Sequence, residues 1–264
     1  MTGALRLLVM LGWLAWSGTA SACPGGAKPC EVEGGSYLML LPLAGQDGPP
    51  PVLLHLHGWG GNAAAVLQAG FSQEFLARGF VVIAPQGLQS RPGGRTDWSV
   101  GDGQPHPRDD RAFVGRVLDD AARRFGLDRG RVLLSGFSRG ASMAWDIACQ
   151  EPAMALAYAP VAGGFWQKQP TTCMGPVRLL HTHGFADATV PLEGRVLRGG
   201  ALAQADIFAG LALWRRVDGC DGPAEVPATA DRSGASAGSA AGRARWNWRC
   251  TRAGTPSPMA GHSW

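Results

Sequence analysis

Gly136-Phe137-Ser138-Arg139-Gly140 is the stretch of this chain best suited to covalent chemistry. Glycines two before and two after a serine let a strand and a helix meet at a tight turn, which pushes the hydroxyl outward as a nucleophile. The string alone is weak evidence in a chain with 39 glycines. Here it follows the apolar run "RVLLS" and leads into the helical spacing of "SMAWDIACQ", the context that the motif requires. The amide of Arg139 then falls at a helix N-terminus, where unpaired N–H groups receive developing negative charge.

Two further stretches supply what a nucleophilic serine needs. "HLHGWGGNAAA" places His57-Gly58 and a glycine pair after an apolar run, upstream of the serine. An oxyanion site needs a second backbone N–H from such an early loop, and Trp59 is the residue whose amide offers it. His55 and His57 at alternate positions, without a third ligand, read as packed or hydrogen-bonded histidines rather than a metal site. "HTHGFADATVPLEGR" ends an apolar run in His-Gly with an acid three residues later. In a Ser-His-Asp system whose acid follows the nucleophile in sequence, Asp187 holds that position. Asp206 and Glu193 are weaker candidates, because neither directly follows a strand.

The elements that position these groups alternate in type. "SYLMLLP", "VLLHLHG" (52–58), "FVVIAPQG" (80–87), "RVLLSG" and "VRLLHTHG" (177–184) read as strands, the later ones as continuous apolar runs buried on both faces. Residues 62–79, 111–126, the stretch after Ser138 and "DIFAGLALWRRVDGC" have helical spacing, with Asn62 as an N-cap and Gly79 as a stop. Strands alternating with helices predict an α/β fold with a mostly parallel central sheet and helices on both faces. The long polar loop from Leu88 to Asp110 is expected to shape selectivity.

Composition narrows the class. The 264 residues are 45% hydrophobic, enough for a substantial core. A net charge of +4 without a basic run or Arg/aromatic interleaving excludes a nucleic-acid footprint. Residues 1–22 read as a signal peptide: one Arg, an apolar stretch from Leu7 to Trp16, and a small-residue site at Ala20-Ser21-Ala22. That stretch is too short to span a bilayer, which takes about 20 apolar residues, so a secreted or periplasmic protein without a membrane span is expected. Six cysteines in an exported chain suggest disulfides: Cys23 and Cys30 bracket a short loop, and Cys149 and Cys173 flank an excursion from one layer. No CxxC or His/Cys clustering suggests a metal.

Together "HGWGGN", "APQG", "TDWSV", "GFSRGASMAW" and "HGFADATVPLEGR" resemble the α/β-hydrolase superfamily, and within it the secreted polyhydroxybutyrate-depolymerase and feruloyl-esterase-like group, over roughly residues 30 to 225. The resemblance implies an α/β-hydrolase fold and a serine esterase in which Ser138 is the nucleophile, Asp187 the acid, and the Trp59 and Arg139 amides the oxyanion hole. It implies no metal or organic cofactor, and an ester substrate: a polyester, an aryl ester or a small acyl ester. It also sets Trp98 near the substrate cleft, although a lone loop tryptophan reads equally well as a packing anchor.

The pattern of that group ends in a final strand, then Gly-Gly-His. Here the catalytic domain reads as residues 23–230, and the composition changes abruptly from about Asp231. The stretch "DRSGASAGSAAGRARWNWRCTRAGTPSPM" offers no apolar run suited to a final strand, so 231–264 is expected to be an aberrant, disordered segment with the last strand and helix missing or garbled. Reading each codon as the third base of one residue and the first two of the next converts Arg245 to His262 into "LELALHPGGHSVPDGWP". That is an alternating strand followed by Gly-Gly-His. The sequence therefore points to a frameshift, in the gene or in its sequencing, beginning between about residues 226 and 245. The base is then encoded out of frame across Gly254 and Thr255, and Cys250 is no native partner for Cys220. The competing expectation keeps His262, in "AGHSW", as the base; the chain as written is otherwise catalytically impaired.

Overall fold

The computed structural model describes residues 23–24, 28–42 and 48–220, together with the backbone of 245–249. In chain order the elements are β1 (Cys30–Val32), β2 (Gly35–Leu40), β3 (Val52–Leu56), α1 (Ala63–Gln68), α2 (Gly70–Ala77), β4 (Val81–Pro85), β5 (Leu88–Gln89) and β6 (Thr96–Asp97). There follow α3 (Asp110–Phe125), β7 (Val132–Phe137), α4 (Arg139–Gln150), β8 (Ala157–Val161), β9 (Leu180–Gly184), β10 (Arg195–Leu197), β11 (Leu202–Gln204), α5 (Ile207–Val217) and β12 (Arg245–Arg249). Eight strands form one sheet in the order β1-β2-β4-β3-β7-β8-β9-β12. The five from β4 to β9 are mutually parallel, and β1, β2 and β12 are antiparallel to their neighbours. β5 pairs with β6, and β10 with β11, as short hairpins at the rim.

The apolar runs are central strands for a simple reason: every residue of β3 and β4 is buried, because helices cover both faces. Alternate side chains serve opposite layers. Leu54, Leu56 and Ile83 pack with Phe113 and Val117 of α3, Trp145 of α4 and Trp214 of α5. Leu53, Val82 and Ala84 pack with Val66 and Leu67 of α1.

Helix ends follow local chemistry. Asp109 caps α3 by accepting from Ala112 N at 3.1 Å, and Gly126 ends it at φ 67°. Residues 62–79 were expected to form one helix, but they form two, broken where Ala69 is extended. Ser72 Oγ donates to Val66 O at 2.6 Å and Gln73 Nε2 to Leu67 O at 3.0 Å, so side chains satisfy carbonyls that the continuing helix would have used.

β8 is an addition to the sequence reading: "AYAPV" carries a proline and only half-buried alternate positions, yet it separates β7 from β9. β12 is a correction. The stretch after Asp231 offers no apolar run for a strand, but Arg245–Arg249 pairs with β9 from Arg245↔Gly184 to Arg249↔Leu180. An edge strand has one pairing partner only, and the period-two alternation of "RWNWR" suffices. The expected signal peptide over 1–22, and the rest of the segment expected to be disordered, lie outside the described residues.

Cys23 is bonded to Cys30, and Cys149 to Cys173, as the sequence suggests. Cys220 is also disulfide-bonded, and Cys250, which the sequence reading rejects as its native partner, lies outside the described residues. No helix among the described residues is long and apolar enough to cross a membrane.

Candidate active site

Ser138 stands between β7 and α4 at φ 55° and ψ −116°, a backbone conformation that a non-glycine residue adopts only when its surroundings enforce it. The flanking glycines make that enforcement possible. A Cβ on Gly136 would lie 2.3 Å from Gly140 O, and one on Gly140 would lie 2.1 Å from Leu56 O. Strand, helix and the end of β3 therefore meet at contacts that only glycine allows. Ser138 N donates to Val161 O at 2.9 Å, which ties the turn to the end of β8.

The loop after β3 reaches the same point. A Cβ on Gly58 would sit 3.6 Å from Ser138 Cβ. Arg139 is the first residue of α4 and has no intrahelical acceptor for its amide, and among the described residues neither that amide nor the Trp59 amide has a hydrogen-bond partner. Both expected oxyanion donors thus belong to segments that converge on Ser138.

His55 and His57 are committed elsewhere. His55 Nδ1 donates to Ser135 Oγ at 3.2 Å, since the Ser135 hydroxyl itself donates to Ala159 O at 2.7 Å. Burial, with His57 close by, lowers the His55 pKa to about 4. Gly87 N donates to His57 Nε2 at 3.0 Å, so the proton sits on Nδ1, which donates to Gly58 O at 2.8 Å. Burial also lowers the pKa of His57. Among the described residues no group of three His, Cys, Asp or Glu is placed to hold a metal ion.

Asp187 lies on the loop after β9, at the same edge of the sheet as Ser138 and one strand beyond β8. Its Oδ1 accepts from Thr189 N and Val190 N, both at 2.9 Å. One carboxylate oxygen is thereby fixed by the backbone, and a fixed carboxylate can orient an imidazole through its other oxygen. His183, a residue the sequence reading passed over, is 3.7 Å from Asp187 Oδ2 through its Nε2. That Nε2 donates to Val190 O at 2.8 Å, and His183 Nδ1 accepts from His181 Nε2 at 3.1 Å. His183 is 1% exposed, and both of its ring nitrogens are engaged, by His181 and by Val190 O, so neither is free to take a proton from a serine. The His-x-His-Gly spacing at the strand end was the available signal for its supporting role.

Trp98 corrects one of the two expectations for it. It is 0% exposed, its Nε1 donates to His57 O at 2.7 Å, and its ring lies 4.8 Å from the His57 ring. It anchors the loop from beneath and does not line a cleft. Nearby, Arg139 Nε donates to Asp97 Oδ1 at 2.7 Å, its Nη2 bonds Asp102, and its guanidinium lies 4.6 Å above the Trp166 ring. Asp102 also accepts from His106 Nε2 at 3.0 Å. Burial works to raise the Asp102 pKa, but the bonds from His106 and Arg139 outweigh it and hold the group at about 2. Sequence reasoning missed this cluster because Asp97, in the two-residue β6, and Asp102, after it, fall in a polar stretch without periodicity. His262 lies outside the described residues.

No protein-family model matches the chain. Feruloyl esterase C of Emericella nidulans is 27% identical over 177 residues, covering 63% of this chain and 60% of that protein. Probable feruloyl esterase C of Aspergillus niger is 26% identical over 214 residues, 73% of this chain and 74% of that one. The chain thus spans about 60% of the length of the first of these relatives. The crystal structure of the Bacillus cereus carboxylesterase superposes with a TM-score of 0.52 at 17% identity, covering 70% of this chain and 82% of that one, a likeness of fold. With its sheet order and the serine turn between β7 and α4, the chain has an α/β-hydrolase fold. The relatives and the solved structure that it resembles are esterases by name.

Proposed function

We propose that this protein is a secreted serine esterase that hydrolyses carboxylic esters through an acyl-enzyme. The observation that carries the reading is Ser138 at φ 55° between β7 and α4, with the loop after β3 against it. Ser138 Oγ attacks the ester carbonyl while a histidine accepts its proton. The tetrahedral oxyanion is held by the Trp59 and Arg139 amides. As the intermediate collapses, the histidine returns that proton to the leaving alcohol; water then attacks the acyl-serine by the same route. Asp187 fixes the tautomer of the histidine through Oδ2, its Oδ1 being engaged by Thr189 N and Val190 N. Of polyesters, aryl esters and small acyl esters, the names of the two feruloyl esterase relatives favour an aryl ester.

The histidine comes from outside the described residues, as His262 or as the out-of-frame residue across Gly254 and Thr255. The direction of β12 supports the second. Parallel strands deliver their C-terminal ends to the edge where ligands bind. β12 runs the other way: Arg245 lies opposite Gly184, at the Asp187 edge, and Arg249 opposite Leu180, at the far edge. The same observation favours a second reading, that the chain as written is a catalytically impaired member of the superfamily.

Hydrolysis of p-nitrophenyl acetate and butyrate tests both. The frame-restored chain is expected to turn these esters over, its Ser138→Ala variant to lose at least about 10³-fold, and the recorded chain to be much slower. Equal rates for the frame-restored chain and its Ser138→Ala variant would remove the esterase reading. Equal rates for recorded and restored chains would return the base to His262.

A further inference from the structure

The loop after β3 and the start of α4 are both bonded to a third segment, Thr96–Asp102. On one side, Gly60 N donates to Thr96 O at 2.8 Å, Thr96 Oγ1 donates to Gly61 O at 2.6 Å, and Trp98 Nε1 donates to His57 O at 2.7 Å. On the other side, Asp97 takes Arg139 Nε and Nη2 at 2.7 and 3.3 Å, Asp102 takes Nη2 as well, and Gly101 N donates to Asp146 Oδ2 of α4 at 2.7 Å. We propose that Thr96–Asp102 is a brace that sets the separation of the Trp59 and Arg139 amides, with Trp98 and Asp97 as positioning residues. This rests on the serine-esterase reading above, which assigns those amides to the oxyanion.

The need for such a brace follows from the geometry of the two donors. An oxyanion donor acts only within about 2.7–3.1 Å of the developing charge, and a displacement of about 1 Å can cost 10²-fold in rate. The Arg139 amide is held by a helix. The Trp59 amide lies in a glycine-rich loop, and the Trp59 side chain is 51% exposed, so its own ring does not bury it in the core. Its neighbours on both sides are fixed instead: His57 O by an indole that is itself fully buried, and Gly60 and Gly61 by Thr96. One residue after Thr96 and one before Trp98, Asp97 grips the side chain of the residue whose amide is the other donor. A planar guanidinium taken by two oxygens of one carboxylate has little freedom to slide. The two donors are thus referenced to one short piece of backbone.

The test uses Trp98→Phe, which keeps a buried ring and removes the Nε1 donor, and Asp97→Asn, which removes the ionic grip on Arg139. Amide hydrogen exchange on the full recorded chain is expected to show Gly60 exchanging at least about tenfold faster in Trp98→Phe, with the β4 and β7 strands unchanged. For p-nitrophenyl butyrate, kcat normalised to the folded fraction is expected to fall about 10- to 100-fold in each variant with KM within about twofold; the normalisation removes the loss of active enzyme that general destabilisation would cause. Unchanged exchange at Gly60, or faster exchange with unaltered kcat, would overturn the brace while leaving the esterase reading standing. If the recorded chain turns over no faster than its Ser138→Ala variant, the same kinetics are measured on the frame-restored chain. If that is equally inert, the esterase reading is what fails, and the exchange result alone decides the brace.

Discussion

His183 and Asp187 close one loop between them: His183 Nε2 donates to Val190 O at 2.8 Å, while Asp187 Oδ1 takes the Val190 amide at 2.9 Å and its Oδ2 lies 3.7 Å from the same Nε2. Val190 is therefore held through both its N–H and its C=O, and the carboxylate cannot rotate without breaking the loop.

That arrangement separates the proposed acid, Asp187, from its support, His183. Asp187→Asn keeps an oxygen for the Thr189 and Val190 amides but presents the wrong partner to an imidazole. A kcat loss of about 10⁴-fold with a melting temperature within a few degrees of the parent is expected for the frame-restored enzyme. His183→Leu leaves Val190 O without its donor, a cost of about 1–3 kcal/mol, so this variant should lose both stability and activity. Thermal melts beside esterase rates distinguish the two; an Asp187→Asn enzyme at full rate would remove Asp187 from the triad.

Gly140→Ala should be among the most damaging single-methyl additions in the chain. The added carbon would stand 2.1 Å from Leu56 O and 2.5 Å from His57 O, both backbone atoms of a buried strand end. Overpacking of this kind costs about 1–3 kcal/mol or more. Chemical denaturation should show at least that loss, and a midpoint equal to the parent's would mean that α4 approaches β3 less closely than described.

Asp146 makes stability depend on pH. Burial pushes its carboxyl up to about 6, against the pull of the Gly101 amide and Arg139, while Asp102 nearby adds to the rise. Between about pH 4 and 6 the folded protein holds a proton that the unfolded chain releases, so this group adds stability as pH falls through 6 and withdraws it as pH rises. The gap between about 6 and the ordinary 3.8 amounts to roughly 3 kcal/mol. Asp146→Asn can still accept from Gly101 N and has no proton to lose. Measured against it, the parent should become relatively less stable from pH 4 to pH 8, and parallel stability profiles would contradict the assignment.

The Cys149–Cys173 bond closes a separation of 24 residues between the end of α4 and the segment leading to β9. A crosslink over such a loop restricts the unfolded chain by about 3 kcal/mol. The double Cys→Ala variant should unfold at correspondingly lower denaturant with its esterase rate retained, because Cys149 lies at the opposite end of α4 from Ser138 and Cys173 precedes β9, whereas Asp187 follows it. A loss of rate in the folded variant would show that the bond also shapes the site.

Much of the site was legible in the chain because its signals are short in range. The close approach of Gly136 to Gly140 acts within five residues, the Asn62 cap within four, and the buried runs of β3 and β4 declare themselves by composition. Those features do not depend on what else the chain does. Other features were settled only by distant partners. Whether Trp98 faces a cleft or the core was open in the sequence, and His57 O, 41 residues away, decided it. "AYAPV" has too weak a pattern to announce a strand, and it became β8 because Val132–Phe137 offered it a parallel edge. The direction of β12, opposite to that of β9, is likewise a matter of pairing between remote segments. Periodicity and turn sterics are properties of neighbouring residues and survive in any context. The facing of a loop side chain and the order of strands are chosen by whichever remote surface buries them best, and only the assembled sheet supplies that surface.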